Sequence, residues 1–118
     1  MAFKFVPVEA IKKTVNVEIP GDFGKTTKAD FEAKIKKLGV SQARELIQAI
    51  QNKEIDEETV IRENIVDLKG VKDADGNEIE FSQELLAQMS EVSYVRGPML
   101  AAIFEVNFNL EKLRAKNS

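Results

Sequence analysis

The chain has 118 residues, with 17 Lys plus Arg against 20 Asp plus Glu, 43% hydrophobic residues, and neither His nor Cys. A chain of this length buries roughly two-thirds of the surface its unfolded form exposes, so one domain spanning 1–118 is expected without disulfide or metal. The missing His and Cys exclude Ser-His-Asp and Cys-His nucleophile systems, zinc sites of the usual ligand types, haem ligation through the chain's own His or Cys, and thiol redox chemistry. A net charge of -3 exerts no overall pull toward nucleic acid or anionic lipid.

Residues 1–20 carry Lys4, Lys12 and Lys13 and no apolar run of signal-peptide length, so the protein is expected to stay where it is made. The most apolar stretch, 99–108, is interrupted by Glu105 and Asn107 and falls short of the ~20 apolar residues of a membrane span.

The first third, 1–38, reads as a β-hairpin region. Val15, Val17 and Ile19 alternate with Asn16 and Glu18, the period-2 signature of a strand with one buried face. Pro20, Gly21, Asp22 and Gly24 form a turn cluster. Residues 27–38 fit two patterns. Ala29, Phe31, Ala33 and Ile35 share one strand face, whereas Phe31, Ile35 and Leu38 also lie at i, i+4, i+7, and Ala, Glu and Lys favour helix. The preceding strand needs a partner for its backbone groups, so a second strand is expected here.

Residues 40–116 read mostly as helices. Ser41 is the expected N-cap of a helix with Ala43, Leu46, Ile47 and Ile50 on one face, running to about Asn52. A second helix is expected from Asp56, with Glu57 and Glu58 in its first turn, a buried stripe of Val60, Ile61, Ile65 and Leu68, and Gly70 at its end. The segment 71–81 holds Asp75-Gly76 and reads as a small hairpin or tight loop. Ser82 then caps a short helix with Leu85, Leu86 and Met89 inward. Pro98 fits a first turn, so the last regular helix is expected to begin near Gly97-Pro98, with any earlier helix kinked or broken there. Met99, Ile103, Val106, Leu110 and Leu113 form a heptad seam, and Leu100, Phe104 and Phe108 a second apolar row. That wide stripe is either the core helix of a small domain or, in part, a surface for self-association or a partner. The expected class is α+β: a small amino-terminal antiparallel hairpin or sheet, then a mostly helical part.

The polar constellations lack the residue types and spacings that a reactive or ligand site needs. Starting a calcium loop at Asp73 puts Asp75, Asn77 and Glu84 at ligand positions 3, 5 and 12, but Glu78 stands where the loop needs Gly and Glu80 where it needs an apolar residue. A solvated Asp-Gly turn is the better reading. The four carboxylates in 54–58 sit at a helix start, where dipole and solubility account for them. Lys34, Lys36 and Lys37 have no interleaved aromatics for base stacking. Gly21 and Gly24 lack the Lys-Ser/Thr ending of a phosphate loop. Tyr94 and Arg96 read as packing and capping residues. No catalytic, cofactor or metal site is expected, and no membrane or nucleic-acid partner.

Taken in order, the chain resembles the tail assembly chaperones of long-tailed bacteriophages. The resemblance rests on the hairpin, on Phe31-Glu-Ala-Lys-Ile-Lys-Lys-Leu38 leading into a helix, and above all on residues 65–86. There a helix running into Lys69-Gly70-Val71, the Asp75-Gly76 turn and the Phe81-Ser82 start of the next helix fall in the family's order. Residues 94–106 look like its final helix. Leu68 stands where relatives often carry Trp, an exchange of one apolar residue for another. The resemblance implies a non-enzymatic protein of the host cytoplasm that coats the apolar, helical tape measure protein, helps bring tail tube subunits to it, and is absent from the finished virion. A longer product made by frameshifting is often found in such families. On this reading Leu100, Ile103, Phe104, Phe108 and Leu110 are the expected partner or self-association residues, and a homo-oligomer is compatible with them. A morphogenetic protein retained in the virion, of connector or tail-completion type, and a small regulatory or antitoxin-like binding module are the alternatives.

Overall fold

The computed structural model describes residues 2–108. Strand β1 (Ala10–Pro20) and strand β2 (Thr26–Lys36) form the expected hairpin, with Val15 opposite Phe31 and Ile11 opposite Ile35. The two readings of 27–38 are thus decided for strand, and the reason is non-local: β2 is the middle strand and its backbone is claimed from both sides. A single 3-10 turn (Asp22–Gly24) closes the hairpin through Gly21 N–H to the Lys25 carbonyl, 2.7 Å.

Helix α1 (Val40–Gln51) follows, then helix α2 (Glu57–Asn64), strand β3 (Ile65–Lys69), helix α3 (Gln83–Ser90) and helix α4 (Ser93–Phe108). The sheet is antiparallel, in the order β1-β2-β3. Its inner face carries Val15, Val17, Phe31, Ala33, Ile35, Ile65 and Leu68. These pack with Leu46 of α1, Val60 and Ile61 of α2, Leu85 and Leu86 of α3, and Met99, Leu100, Ala102 and Ile103 of α4 into one cluster. The other face is solvated and charged, with Glu18 opposite Lys28, Lys34 opposite Asp67 and Glu32 opposite Lys69. The α+β class holds as expected.

Three expectations are corrected. The second helix stops at Asn64, and Ile65–Lys69 is a strand. Ile61, Ile65 and Leu68 sit at i, i+4, i+7 and mimic a helix face. In fact a register irregularity between Lys34 and Ile35 lets Ile65 pair with Ile35 and Leu68 with Ala33, so two residues three apart both reach the core. The N-cap of α1 is Gly39, not Ser41: Gln42 Oε1 accepts from Gly39 N–H at 3.3 Å, and Ser41 lies inside the helix. Helix α4 begins at Ser93 and runs through Pro98. Proline forfeits one i→i−4 bond, here to the Tyr94 carbonyl close to the helix start, and Gly97 before it has no Cβ to meet the ring.

The Ser82 cap and the Asp75-Gly76 turn hold as expected, whereas Asp56, expected as the start of α2, is its N-cap, and Ile47, expected on the apolar face of α1, is exposed. Asp56 caps α2 by accepting from Thr59 N–H at 2.8 Å, and Ser82 caps α3 by accepting from Leu85 N–H at 3.0 Å. The 71–81 segment closes on a Lys72–Glu78 bridge around the Asp75-Gly76 turn. Helix α4 is tied to the sheet by Lys13–Glu105, 3.2 Å, and by Asn107, whose Oδ1 accepts from Leu38 N–H at 2.7 Å while its Nδ2 donates to the Lys36 carbonyl at 3.1 Å.

Candidate binding surface

Two of the acidic groups singled out in the sequence, Asp73 and Asp56, accept hydrogen bonds from the backbone. Asp73 Oδ1 accepts from Asp75 N–H and Asn77 N–H, both at 2.9 Å, which folds the Asp-Gly turn. Asp56 is the α2 cap, and hydrogen bonding by Thr59, first from its side chain and then from its backbone, holds the carboxyl below its ordinary pKa. Arg96 caps α3, its Nε donating to the Ser90 carbonyl at 2.6 Å, and reaches Glu57 at 4.0 Å. Among the described residues no group of three or more Asp or Glu is placed to hold a metal ion. No helix among them is long and apolar enough to cross a membrane.

The expected docking residues are split by the fold. Ile103 is fully buried and Leu100 is 8% exposed, both inside the core cluster, so neither can meet a partner while the domain is folded. They serve as the helix's anchor, and the wide apolar stripe of α4 is explained largely by the sheet beneath it. Phe104 and Phe108 are half-buried, with ring centroids 5.8 Å apart; Phe104 packs against the core. Leu110 and Leu113 lie outside the described residues.

Exposed apolar groups occur elsewhere. Phe23 at the hairpin tip is 99% exposed and its backbone is left-handed, φ 58°. That conformation costs a non-glycine residue roughly 1–2 kcal/mol, and the ring recovers none of it by burial. Residues 2–9 form an arm ahead of β1 in which Phe3 is 87% and Phe5 80% exposed, with Val6 and Val8 also exposed.

An open groove of about 770 Å³ runs between the hairpin and the helices, lined among others by Val17, Ile19, Ala29, Val71, Met89 and Val95. It exists because β3 pairs with β2 only from Glu32 to Ile35, which leaves the outer edge of β2 at 26–31 without a ladder partner among the described residues. Sequence reasoning placed weight on α4 and missed these features. Phe23 inside a Gly-Asp-Phe-Gly turn, and Phe3-Lys4-Phe5 with no covering element, were the available signals.

No family model, curated protein or solved structure matches this chain.

Proposed function

We propose that this chain works by binding protein, as a tail assembly chaperone of the long-tailed bacteriophage type. On this reading it covers the tape measure protein before assembly, helps bring tail tube subunits to it, acts in the host cytoplasm without cofactor, and is absent from the finished particle. The observation that supports a binding role is Phe23: a large aromatic in a costly backbone conformation and fully in solvent is hard to explain by folding. Support for the particular partner comes from the resemblance over 65–86 and 94–106. Within 65–86 the Asp75-Gly76 turn and the Ser82-capped helix keep the family's order, while the stretch leading into Gly70 is a strand rather than a helix.

The test is co-expression with the tape measure protein of the phage or prophage that this reading assigns to the chain, scoring the tape measure in the soluble fraction. The wild-type chain keeps it soluble and co-purifies with it. A Phe23→Glu/Phe108→Glu variant, which leaves every fully buried residue in place, melts cooperatively but no longer does so. A wild-type chain that neither solubilises nor co-purifies with the tape measure overturns the reading.

A further inference from the structure

We infer that the groove beside β2 is a strand-docking site, and that its occupant is the arm, residues 2–9, of a second copy of this chain. The groove combines the two elements such a site needs. The edge of β2 at 26–31, which no described strand pairs, offers main-chain donors and acceptors, and the apolar lining takes every second side chain of an added strand.

The arm has the complementary pattern. Phe3 and Phe5 are two apart and share one side of an extended segment, with Lys4 on the other. Set with Phe3 and Phe5 into the groove, the arm brings Lys4 to the outer face beside Asp30, the acidic group of the groove's rim that has no Lys opposite it in the sheet, since Glu32 already faces Lys69. Pro7, which has no N–H, ends the stretch that can pair. In the unassociated chain the arm turns on itself at Phe5, Val6 N–H donating to the Lys4 carbonyl at 3.1 Å, and the two rings lie 6.3 Å apart. Docking exchanges that turn for ladder bonds.

The arm cannot fill its own groove. Glu9 is pinned at the far end of the hairpin by Lys37 N–H, 2.9 Å from its carbonyl. Asp30 lies seven residues up β2 from Lys37, roughly 23 Å at ~3.3 Å per residue, on the sheet edge away from β1. Phe5, four residues from Glu9, reaches about 14 Å and Phe3 about 20 Å. Phe31, nearer the start of the groove, is six residues or roughly 20 Å from Lys37, so the chain's own Phe5 falls short of it and only a neighbour's arm sets both rings in the groove. Donor arm and acceptor groove are different surfaces, so the contact is heterologous and propagates to a ring or an open string unless two chains exchange arms. Two phenylalanines cover roughly 300–500 Å², below a standard interface, so association is expected to be weak and concentration-dependent. It needs no tape measure protein, so its failure leaves the proposed function standing, and the reverse.

Sedimentation velocity on the full chain over a wide concentration range tests this with two variants. Phe3→Ser/Phe5→Ser blanks the arm at exposed positions, and Ala29→Arg fills the groove from an exposed one. The wild type is expected to sediment faster as concentration rises, and each variant to stay monomeric. An equimolar mixture of the two variants should then form a one-to-one dimer, because one retains the arm and the other the groove. A wild type that is monomeric throughout, variants that associate like the wild type, or a mixture that does not associate overturns the proposal. So does a monomeric wild type whose groove binds a different protein.

Discussion

Replacing Asn107 by Ala tests how α4 is held to the sheet. Its amide joins parts of the chain 69 and 71 residues apart: it accepts from Leu38 N–H at 2.7 Å and donates to the Lys36 carbonyl at 3.1 Å, besides bonding Ile103's carbonyl within the helix at 3.0 Å. Alanine leaves the half-buried Leu38 N–H unpaired, a loss of about 1–3 kcal/mol. Lys36 is exposed and its carbonyl can turn to water, adding little. The expected cost is about 2 kcal/mol, which for a chain of this size lowers Tm by roughly 8 °C. Asn107→Asp keeps the acceptor but sets a carboxylate oxygen against the Lys36 and Ile103 carbonyls, so it should lose at least as much. Urea unfolding should show a lower midpoint with unchanged slope, and hydrogen exchange should show faster exchange at the Leu38 amide. An alanine variant within about 0.5 kcal/mol of wild type, the range of an ordinary surface change, with Leu38 protected as before, would refute the clamp.

Two further expectations concern local structure. Phe23→Gly removes a left-handed aromatic at the hairpin tip, and the relief of roughly 1–2 kcal/mol exceeds the entropy glycine forfeits, about 0.5–1 kcal/mol. Thermal melts should therefore show equal or higher stability, and a clear fall would show that Phe23 packs in solution. Asp56 has its folded pKa lowered by the Thr59 hydrogen bonds, so its contribution is present above the ordinary carboxylate range and is lost as pH falls through the lowered folded value. Asp56→Asn still caps α2 but does not titrate there; its Tm should fall less than the wild type's between neutral pH and about pH 3, and parallel curves would exclude the effect.

The charge balance, the absence of His and Cys, the alternation in β1, the Asp75-Gly76 turn, and the Ser82 cap are local properties, and the sequence by itself determined them. Each depends on a few neighbours whose chemistry is visible in order. What only the tertiary structure decided depends on partners far along the chain. Residues 65–69 carry a helical spacing, yet the open edge of β2 recruits them as a strand, and a register irregularity absorbs the odd spacing. The same applies to α4: its apolar rows looked too wide for a core, and the inner face of β1 and β2 takes up Met99, Leu100 and Ile103. The short reach of β3 along β2 leaves the groove, and no pattern in either strand alone records that mismatch. Burial and free edges are sums over the whole fold, whereas caps and turns are set within a few residues.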